Sequence, residues 1–419
     1  MGEISSIGRP GLIAAQRHLT ECPHCGAFNR LPPAEALGHH FCHRCDHRLY
    51  RQAPHWLRQA LAYILAGLLL FVVSNLNPFL SIRMADQVID STLLSGVQAL
   101  LARDEVLLAA LVFLTIFLLP LLELLVFCYL LLSRLSHRPW VGSSYLLAAI
   151  CRLQHWNMLE VFLLAVLVAS VKLSSIAEVV PGPGLYSFLA VVLLLSAANV
   201  VINRRALWEQ IDGNDYFVRG SGERMRGCGA CHALVGSSLT RCPRCHGAVS
   251  GRIDHSLQKT WAYLLAAVVL YIPANTLPMM FTTSLGKVQS DTILSGALHL
   301  LTSGQWPLAL VVFVASILVP IGKIIVLVYL LLRVQWPTPA RLQHRTRLYR
   351  LTGLVGRWSM VDVYVVILLM ALVQFGIFAN VEPGGAALAF GGVVVLTMLA
   401  AEAFDPRLLW DGVAREQSD

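Results

Sequence analysis

The sequence predicts an all-α polytopic membrane protein of two tandem repeats. Each repeat is a small cytoplasmic four-cysteine zinc ribbon followed by a four-helix transmembrane bundle, which gives eight transmembrane helices in total. Only 13% of the 419 residues are charged and 56% are hydrophobic, whereas a soluble domain carries roughly 25% charged residues. Four apolar runs in each half approach the roughly 20 residues that cross a bilayer. A pair of C-x-x-C motifs precedes each set of four runs.

An internal repeat sets the domain organisation. At an offset of 200, Asn275 and Pro278 match Asn75 and Pro78, and both halves contain a T-x-L-S-G segment. Chance agreement between leucine-rich stretches would not reproduce Asn, Pro, Thr, Ser and Gly at one offset. The predicted domains are a zinc ribbon, a transmembrane unit, a second zinc ribbon, a second transmembrane unit and a cytoplasmic tail, at residues 1–54, 55–205, 206–257, 258–405 and 406–419.

The apolar runs predict the transmembrane helices. These lie near Trp56–Leu76, Val106–Leu132, Leu159–Leu173, Leu185–Ile202, Trp261–Leu277, Leu308–Leu332, Val361–Phe378 and Ala386–Ala403. Pro120 and Pro320 fall inside the second helix of each half, where the missing N–H and the ring should kink the helix. Asp90–Leu101 and Asp291–Leu301 look amphipathic, and we expect either surface helices that brace a lipid entrance or short helices that close the bundle.

The placement of arginine predicts the orientation. The connection after the sixth helix contains six arginines and no acid: Arg333, Arg341, Arg345, Arg347, Arg350 and Arg357. Because positive loops stay in the cytoplasm, we expect both termini and both ribbons there, in the inner membrane of a Gram-negative bacterium. The Pro/Gly turns after Glu178 and Glu382 are then periplasmic. The formal charge of +8 is thus explained by topology, and no nucleic-acid partner is expected.

Eight cysteines predict two metal sites. Two C-x-x-C motifs are separated by 16 residues in the first site and by 10 in the second. The ligand sets are Cys22, Cys25, Cys42 and Cys45, and Cys228, Cys231, Cys242 and Cys245. Four thiolates at this spacing are typical of a tetrahedral ion, so we expect two structural Zn2+ ions with no open position for a substrate. Disulfides are disfavoured in a reducing cytoplasm, and iron or redox chemistry is the other alternative.

Polar side chains inside the apolar helices are the candidate functional residues, because a charge near the middle of a spanning helix costs roughly 2.5–3.5 kcal/mol on insertion scales. The charges of the first half are Glu123, Glu160 and Lys172. The second half contains Lys323 and Asp362, with hydroxyls at Ser316, Ser359 and Thr397. Lys323 takes the repeat position of Glu123, and Asp362 takes that of Glu160 after a two-residue shift.

Helical spacing places Ser316 and Lys323 on one face of the sixth helix, and Ser359 and Asp362 on one face of the seventh. If these faces meet, a Lys323–Asp362 pair lies inside the second bundle. The pair is then either a proton-coupled switch or a static ion pair that fixes helix register. Solvation at the cytoplasmic interface is a further alternative for Glu160 and Asp362.

The order of these motifs resembles the paraquat-inducible protein A family and, within it, the LetA type. The resemblance extends from Cys22 to Phe404 and includes both ribbons and, in each half, the N-x-x-P end of the first helix. It implies an inner-membrane partner of a periplasmic MCE-domain tunnel protein of the LetB or PqiB type, through which phospholipids pass between membranes. It also implies a buried network that couples protons to lipid movement, formed by Ser316, Lys323, Ser359, Asp362 and Thr397. The first half departs from that pattern at Glu123.

The expected function is a non-enzymatic, proton-coupled component of lipid transport. The sequence contains no Walker motif, nucleotide-binding glycine loop or catalytic triad, so ATP is not the expected direct energy source. The alternative function is an anchor that closes the MCE tunnel without transporting lipid and binds a cytoplasmic partner through its zinc ribbons.

Overall fold

A computed structural model shows the described part of the chain to be mainly helical. The described residues are 19–32, 37–84, 87–102, 104–136, 138, 140–173, 178–211, 225–249, 251–284, 287–302, 304, 306–336, 338, 341–356, 364–365, 367–368 and 379–411. The helices of the first half are α1 (Trp56–Leu76), α2 (Ser95–Leu101), α3 (Val106–Leu135), α4 (Ser143–Leu153), α5 (Leu159–Leu173), α6 (Pro183–Val201) and α7 (Arg204–Ile211). The described helices of the second half are α8 (Ser256–Thr276), α9 (Ile293–Thr302), α10 (Trp306–Phe313 with its continuations Val314–Leu318 and Val319–Gln335), α11 (Leu342–Val355) and α12 (Gly385–Ala403).

Six of the described helices are long and apolar enough to cross a membrane: α1, α3, α6, α8, α10 and α12. Helix α5 is apolar but has 15 residues, or about 22 Å, which is shorter than a bilayer core of about 30 Å. Its counterpart, predicted at Val361–Phe378, lies largely outside the described residues. The protein is a multi-pass membrane protein, and eight spans stay a prediction.

A π-helical turn accommodates the proline of each long helix. Residues Phe113–Leu118 precede Pro120 in α3, and Val314–Leu318 precede Pro320 in α10. A proline ring clashes with the carbonyl four residues earlier, and here that carbonyl lies within the wider π turn. The helix therefore continues through each proline instead of ending there.

A three-stranded antiparallel sheet covers one end of each bundle. In the first half β5 (Leu80–Met84) pairs with β6 (Gln87–Ser91) and β7 (Glu178–Pro181), and the second half repeats the arrangement in β10 (Met280–Ser284), β11 (Lys287–Asp291) and β12 (Ala379–Pro383). Helices α1 and α8 run from the ribbons to these sheets, so each sheet lies at the far end of its bundle. The all-α prediction did not include them, and the predicted Asp90–Leu101 helix begins only at Ser95.

The two bundles share an apolar core. Tyr364 of the second half is fully buried, and its ring packs edge-on against Phe162 of α5 at 5.7 Å. Its hydroxyl donates to Thr115 Oγ1 in the π turn of α3 at 2.8 Å. Since an unpaired buried hydroxyl is costly, this hydrogen bond fixes how the halves meet.

Each ribbon consists of short hairpins and packs its cysteines against the bundle of the other repeat. The first ribbon is built from β1 (Leu19–Glu21), β2 (Phe28–Arg30), β3 (Gly38–Phe41) and β4 (Arg48–Gln52), and the second contains β8 (Met225–Gly227) and β9 (Leu234–Gly236). The first four cysteines share a buried cluster with residues of the second half: Leu330, Leu331, Phe404, Leu409 and Trp410. In the second ribbon the His246 ring stacks on Tyr145 of α4 at 4.9 Å, and Arg244 lies over Trp208 of α7 at 5.6 Å. The first ribbon thus packs on the second half, and the second ribbon packs on the first half.

Polar contacts tie the ribbons to each other and to the segment after α12. Glu21 accepts a hydrogen bond from the Gly227 N–H at 2.5 Å and lies 3.3 Å from the Arg407 guanidinium. At its other end the first ribbon touches α7, where Arg205 lies over the Tyr50 ring at 5.4 Å.

Candidate metal centres and intramembrane polar clusters

The first cysteine tetrad brings four sulfurs together at the tips of two hairpins. Cys22 Sγ lies 3.5 Å from Cys45 Sγ, and Cys25 Sγ lies 3.5 Å from Cys42 Sγ. All four side chains are buried, and their Sγ atoms lie within 4.8 Å of one another. Each C-x-x-C turn forms a knuckle, and Gly26 closes the first one with a positive φ of 70°, where a residue without Cβ is favoured.

The second tetrad has the same geometry. Cys228 Sγ lies 3.5 Å from Cys245 Sγ, and Cys231 Sγ lies 3.6 Å from Cys242 Sγ. These four side chains are also buried. The knuckles close through hydrogen bonds from the His232 N–H to the Cys228 carbonyl and from the His246 N–H to the Cys242 carbonyl, both 2.9 Å long.

The donor sets suit a tetrahedral metal ion. Four sulfurs about 2.3 Å from a common centre lie roughly 3.8 Å apart, close to the spacing found here, and none of the eight cysteines forms a disulfide. Hydrogen bonds from the Cys22 and Cys25 thiols lower the pKa of Cys45 to about 4, so the tetrad readily supplies a thiolate. Each tetrad can therefore hold one metal ion.

The Lys323 cluster lies inside the second bundle. The side chain is 3% exposed, and its Nζ donates to Thr397 Oγ1 of α12 at 2.8 Å and to the Gly356 carbonyl at 3.4 Å. Thr397 uses its own proton for the Val394 carbonyl at 2.9 Å, which leaves its oxygen free to accept from the ammonium. The hydroxyl of Ser316, two turns earlier in α10, donates to the Val312 carbonyl at 2.6 Å.

The structure thus joins Lys323 to Thr397 and places Ser316 on the same helix. Ser359 and Asp362 lie outside the described residues, so the Lys323–Asp362 pair stays a prediction. Gly356, which the sequence analysis missed, contributes a main-chain carbonyl that no side-chain pattern reveals.

The Glu123 cluster is the counterpart in the first bundle. The carboxylate is 1% exposed and accepts hydrogen bonds from Asn157 Nδ2 at 2.5 Å and Asn199 Nδ2 at 2.9 Å. Asn199 Oδ1 accepts from Gln154 Nε2 at 2.6 Å, and Gln154 Oε1 accepts from Arg204. The buried charge is therefore stabilised by amides and is linked to a cation at the end of the bundle.

A polar cavity of about 60 Å³ adjoins this cluster. Glu160, exposed, accepts a hydrogen bond from Ser196 Oγ at 2.9 Å and lines the cavity together with Glu123. The volume is sufficient for water, which needs roughly 10–15 Å³ per molecule and polar partners. Lys172 belongs to α5, but its side chain is not among those described.

The sequence analysis missed the amides of this cluster: Asn157 and Asn199, which donate to Glu123, and Gln154, which donates to Asn199. One signal was present: the two-residue shift that relates Glu160 to Asp362 also relates Asn157 to Ser359. In each cluster one partner lies next to a helix end, since Asn157 lies two residues before α5 and Gly356 directly follows α11.

Substitution of Glu123 tests this hydrogen-bond network. We expect Glu123→Gln to cost about 1 kcal/mol of unfolding free energy, because Asn157 and Asn199 can rotate their amides to match it. Glu123→Leu should cost roughly 3 kcal/mol, because it leaves two buried amides unpaired. Thermal unfolding of the purified protein in detergent measures the difference, and a leucine variant as stable as the glutamine variant would contradict it.

Comparison with known proteins shows similarity over nearly the whole chain. The sequence model of a family described as paraquat-inducible protein A matches residues 57–212 and again residues 257–414, which agrees with the internal repeat. No solved structure was found to match the chain.

Three relatives illustrate this similarity. The chain is 35% identical over 392 residues to the lipophilic envelope-spanning tunnel protein A of Escherichia coli K12, covering 93% of this chain and 90% of the relative. It is 33% identical over 407 residues to the intermembrane transport protein PqiA of the same strain, covering 95% and 96%. A probable intermembrane transport protein of Haemophilus influenzae is 29% identical over 411 residues, covering 95% and 97%.

Proposed function

Because this chain belongs to the paraquat-inducible protein A family, we propose that it is an inner-membrane component of an intermembrane phospholipid-transport system. It passes lipid to or from a periplasmic MCE-domain tunnel protein of the LetB or PqiB type. The relatives' names support the transport part of this proposal, since one is called a lipophilic envelope-spanning tunnel protein and others intermembrane transport proteins. The proposed role is not enzymatic.

The proposed orientation places the ribbons and both termini in the cytoplasm. Arginines on the ribbon side support it, since positive loops stay cytoplasmic. The two β-sheets then face the periplasm, where they and helices α2 and α9 form the surface next to the tunnel.

The buried ammonium of Lys323 is the observation that carries the transport proposal. It lies in the long apolar helix α10 at 3% exposure, in contact with a hydroxyl and a carbonyl. Charges at such positions are costly and usually serve ion or substrate pathways. This cost favours a transport role over that of an anchor.

In the proposed cycle Lys323 and Asp362 act as a proton-sensitive pair between α10 and the transmembrane helix predicted at Val361–Phe378. While both are charged, they hold the two helices together. When Asp362 takes up a proton, Lys323 loses its charged partner and keeps its contacts with Thr397 and the Gly356 carbonyl, and the helices can separate to admit lipid. Ser316 and Ser359 supply further hydroxyls along the proton path.

The remaining candidate residues have supporting roles in this proposal. The two tetrads hold structural Zn2+, since four thiolates complete the coordination of that ion. Glu123 and Glu160 form a static polar cluster in the first bundle, because the amides already satisfy Glu123. Lys172 is assigned no step.

Charge-neutralising variants test the function. Lys323→Ala and Asp362→Asn should each reduce transfer of a fluorescent phospholipid, from proteoliposomes that contain the protein and its copurified periplasmic partner, to the background rate. Lys259→Ala is the matched control, because Lys259 is exposed, and it should leave transfer unchanged. If both variants assemble with the partner and still transport lipid, the protein is the anchor described above rather than a transporter.

A further inference from the structure

Helix α11 supports the first ribbon through main-chain contacts with its second knuckle. Arg350 Nη2 donates to the Cys45 carbonyl at 2.8 Å, and Gln343 Nε2 donates to the Arg44 carbonyl at 3.0 Å. A charged donor forms the stronger type of hydrogen bond. A metal ligand of the first ribbon is thereby joined directly to a helix of the second half.

Further contacts fix α11 between the ribbon and the end of α12. The Arg44 guanidinium lies 4.5 Å above the Trp410 ring, and Trp410 Nε1 donates to Thr346 Oγ1 of α11 at 3.1 Å. The hydroxyl of Tyr349 donates to the Ala401 carbonyl of α12 at 3.0 Å. Helix α11 is therefore joined both to the ribbon and to α12.

The other end of α11 touches the proposed coupling site. Gly356 follows the last residue of α11, and its carbonyl accepts from Lys323. A Cβ added at Gly356 would lie 3.0 Å from Lys323 Nζ, which shows how closely the backbone approaches the ammonium. Arg350 and Gly356 are six residues apart, about 9 Å along a helix, so a displacement at one end reaches the other.

We propose that Arg350 is a positioning residue through which the metal-bound first ribbon sets the position of Lys323. The ligands Cys22, Cys25, Cys42 and Cys45 fix the Cys45 carbonyl when they are joined through one ion. The hydrogen bond from Arg350 to that carbonyl holds α11 in place, and the Gly356 carbonyl at the end of α11 holds the Lys323 ammonium. Loss of metal from the first ribbon therefore releases Lys323. Loss from the second does not, because its bundle contacts are with Tyr145 and Trp208 of the first half and its contact with the first ribbon is at Glu21, not at the Cys45 carbonyl.

This proposal rests on the proposed function in one point, the role of Lys323 in transport. The position of Lys323, however, can be measured without any transport assay. The chain contains four lysines, Lys172, Lys259, Lys287 and Lys323. Acetylation of the full-length, metal-loaded protein in detergent by a small amine reagent, followed by peptide mass spectrometry, reports each of them, with exposed Lys259 as the internal reference.

We expect Lys323 labelling to rise about tenfold in Cys45→Ser and in Arg350→Ala, the size expected for losing one hydrogen bond from a charged donor. Arg350→Lys should restore slow labelling, because it keeps a cationic donor. Cys245→Ser and Arg347→Ala are the matched controls and should label as the parent does. Arg347 forms a 3.7 Å ion pair with Asp46 in which both side chains are exposed, and such pairs contribute little.

Hydrogen exchange of residues 342–356 provides a second measurement for variants that lose the ribbon fold, and it should accelerate in Cys45→Ser but not in Cys245→Ser. Equal effects of the two cysteine variants on labelling and exchange, or slow Lys323 labelling in Arg350→Ala, would overturn the proposal. A transport-competent Lys323→Ala variant would instead overturn the proposed function and leave the Arg350 result standing.

Discussion

Serine in place of Cys22 or Cys228 should lower the metal content from two ions per chain to one and unfold the ribbon concerned. The strands of both ribbons are three to five residues long, too short to enclose a core of their own. The cysteines are themselves much of what is buried. Metal binding to such modules supplies about 10–16 kcal/mol near neutral pH, which exceeds the total stability of many domains. No single substitution outside the eight cysteine ligands should cost as much.

Elemental analysis of the purified protein measures the number and identity of the ions, and limited proteolysis shows which ribbon has opened. We expect zinc, because four thiolates favour it and leave no position for catalysis. Cys128→Ser and Cys151→Ser are the controls, since neither residue belongs to a tetrad. Two ions retained in both ligand variants would show that the tetrads are not the metal sites, and iron in place of zinc would revive a redox role.

The cysteine sites could be predicted because their geometry is local. Two C-x-x-C motifs bring their sulfurs together whatever the ribbon packs against, and the structure shows both tetrads with the predicted members. The crossed packing could not be predicted in the same way. It depends on contacts between residues about 300 positions apart, such as Arg350 with the Cys45 carbonyl, and sequence patterning does not encode partners at that separation.

The sheets were missed for a different reason. Their strands are four or five residues long and lie in connections of mixed polarity. Leu80–Met84 does alternate apolar and polar residues, which is a strand signal, but its two partner strands do not, and the short signal was passed over beside a long apolar run. The π turns before Pro120 and Pro320 were likewise hidden, because a proline inside an apolar run predicts only a local disturbance. In the Glu123 cluster, the charged residue was identified from its burial cost, whereas its amide partners were passed over because asparagine and glutamine at helix ends are common.

Two glycines at equivalent positions of the repeat should be the most sensitive residues outside the ribbons. The Gly182 N–H donates to the Phe79 carbonyl at 3.1 Å, and the Gly384 N–H donates to the Met279 carbonyl at 2.9 Å. A methyl group on Gly182 would overlap the carbonyl of Pro78, and a methyl group on Gly384 would overlap the carbonyl of Pro278. The clashing atoms belong to the backbone where the first helix of each half meets its sheet. They therefore cannot move away as the end of a flexible side chain could.

We therefore expect Gly182→Ala and Gly384→Ala each to cost about 3 kcal/mol or more, in the range of strained or overpacked sites. Thermal unfolding in detergent measures the loss, and Gly296→Ala is the control, because an added Cβ there meets no atom within 4 Å. Equal losses in the two halves would show that both sheet junctions contribute equally to stability. A loss for Gly384→Ala alone would mean that the second bundle, which contains Lys323, depends more on its far-side sheet. If neither variant differs from the control, the close approach of helix and sheet is not a source of stability in either half.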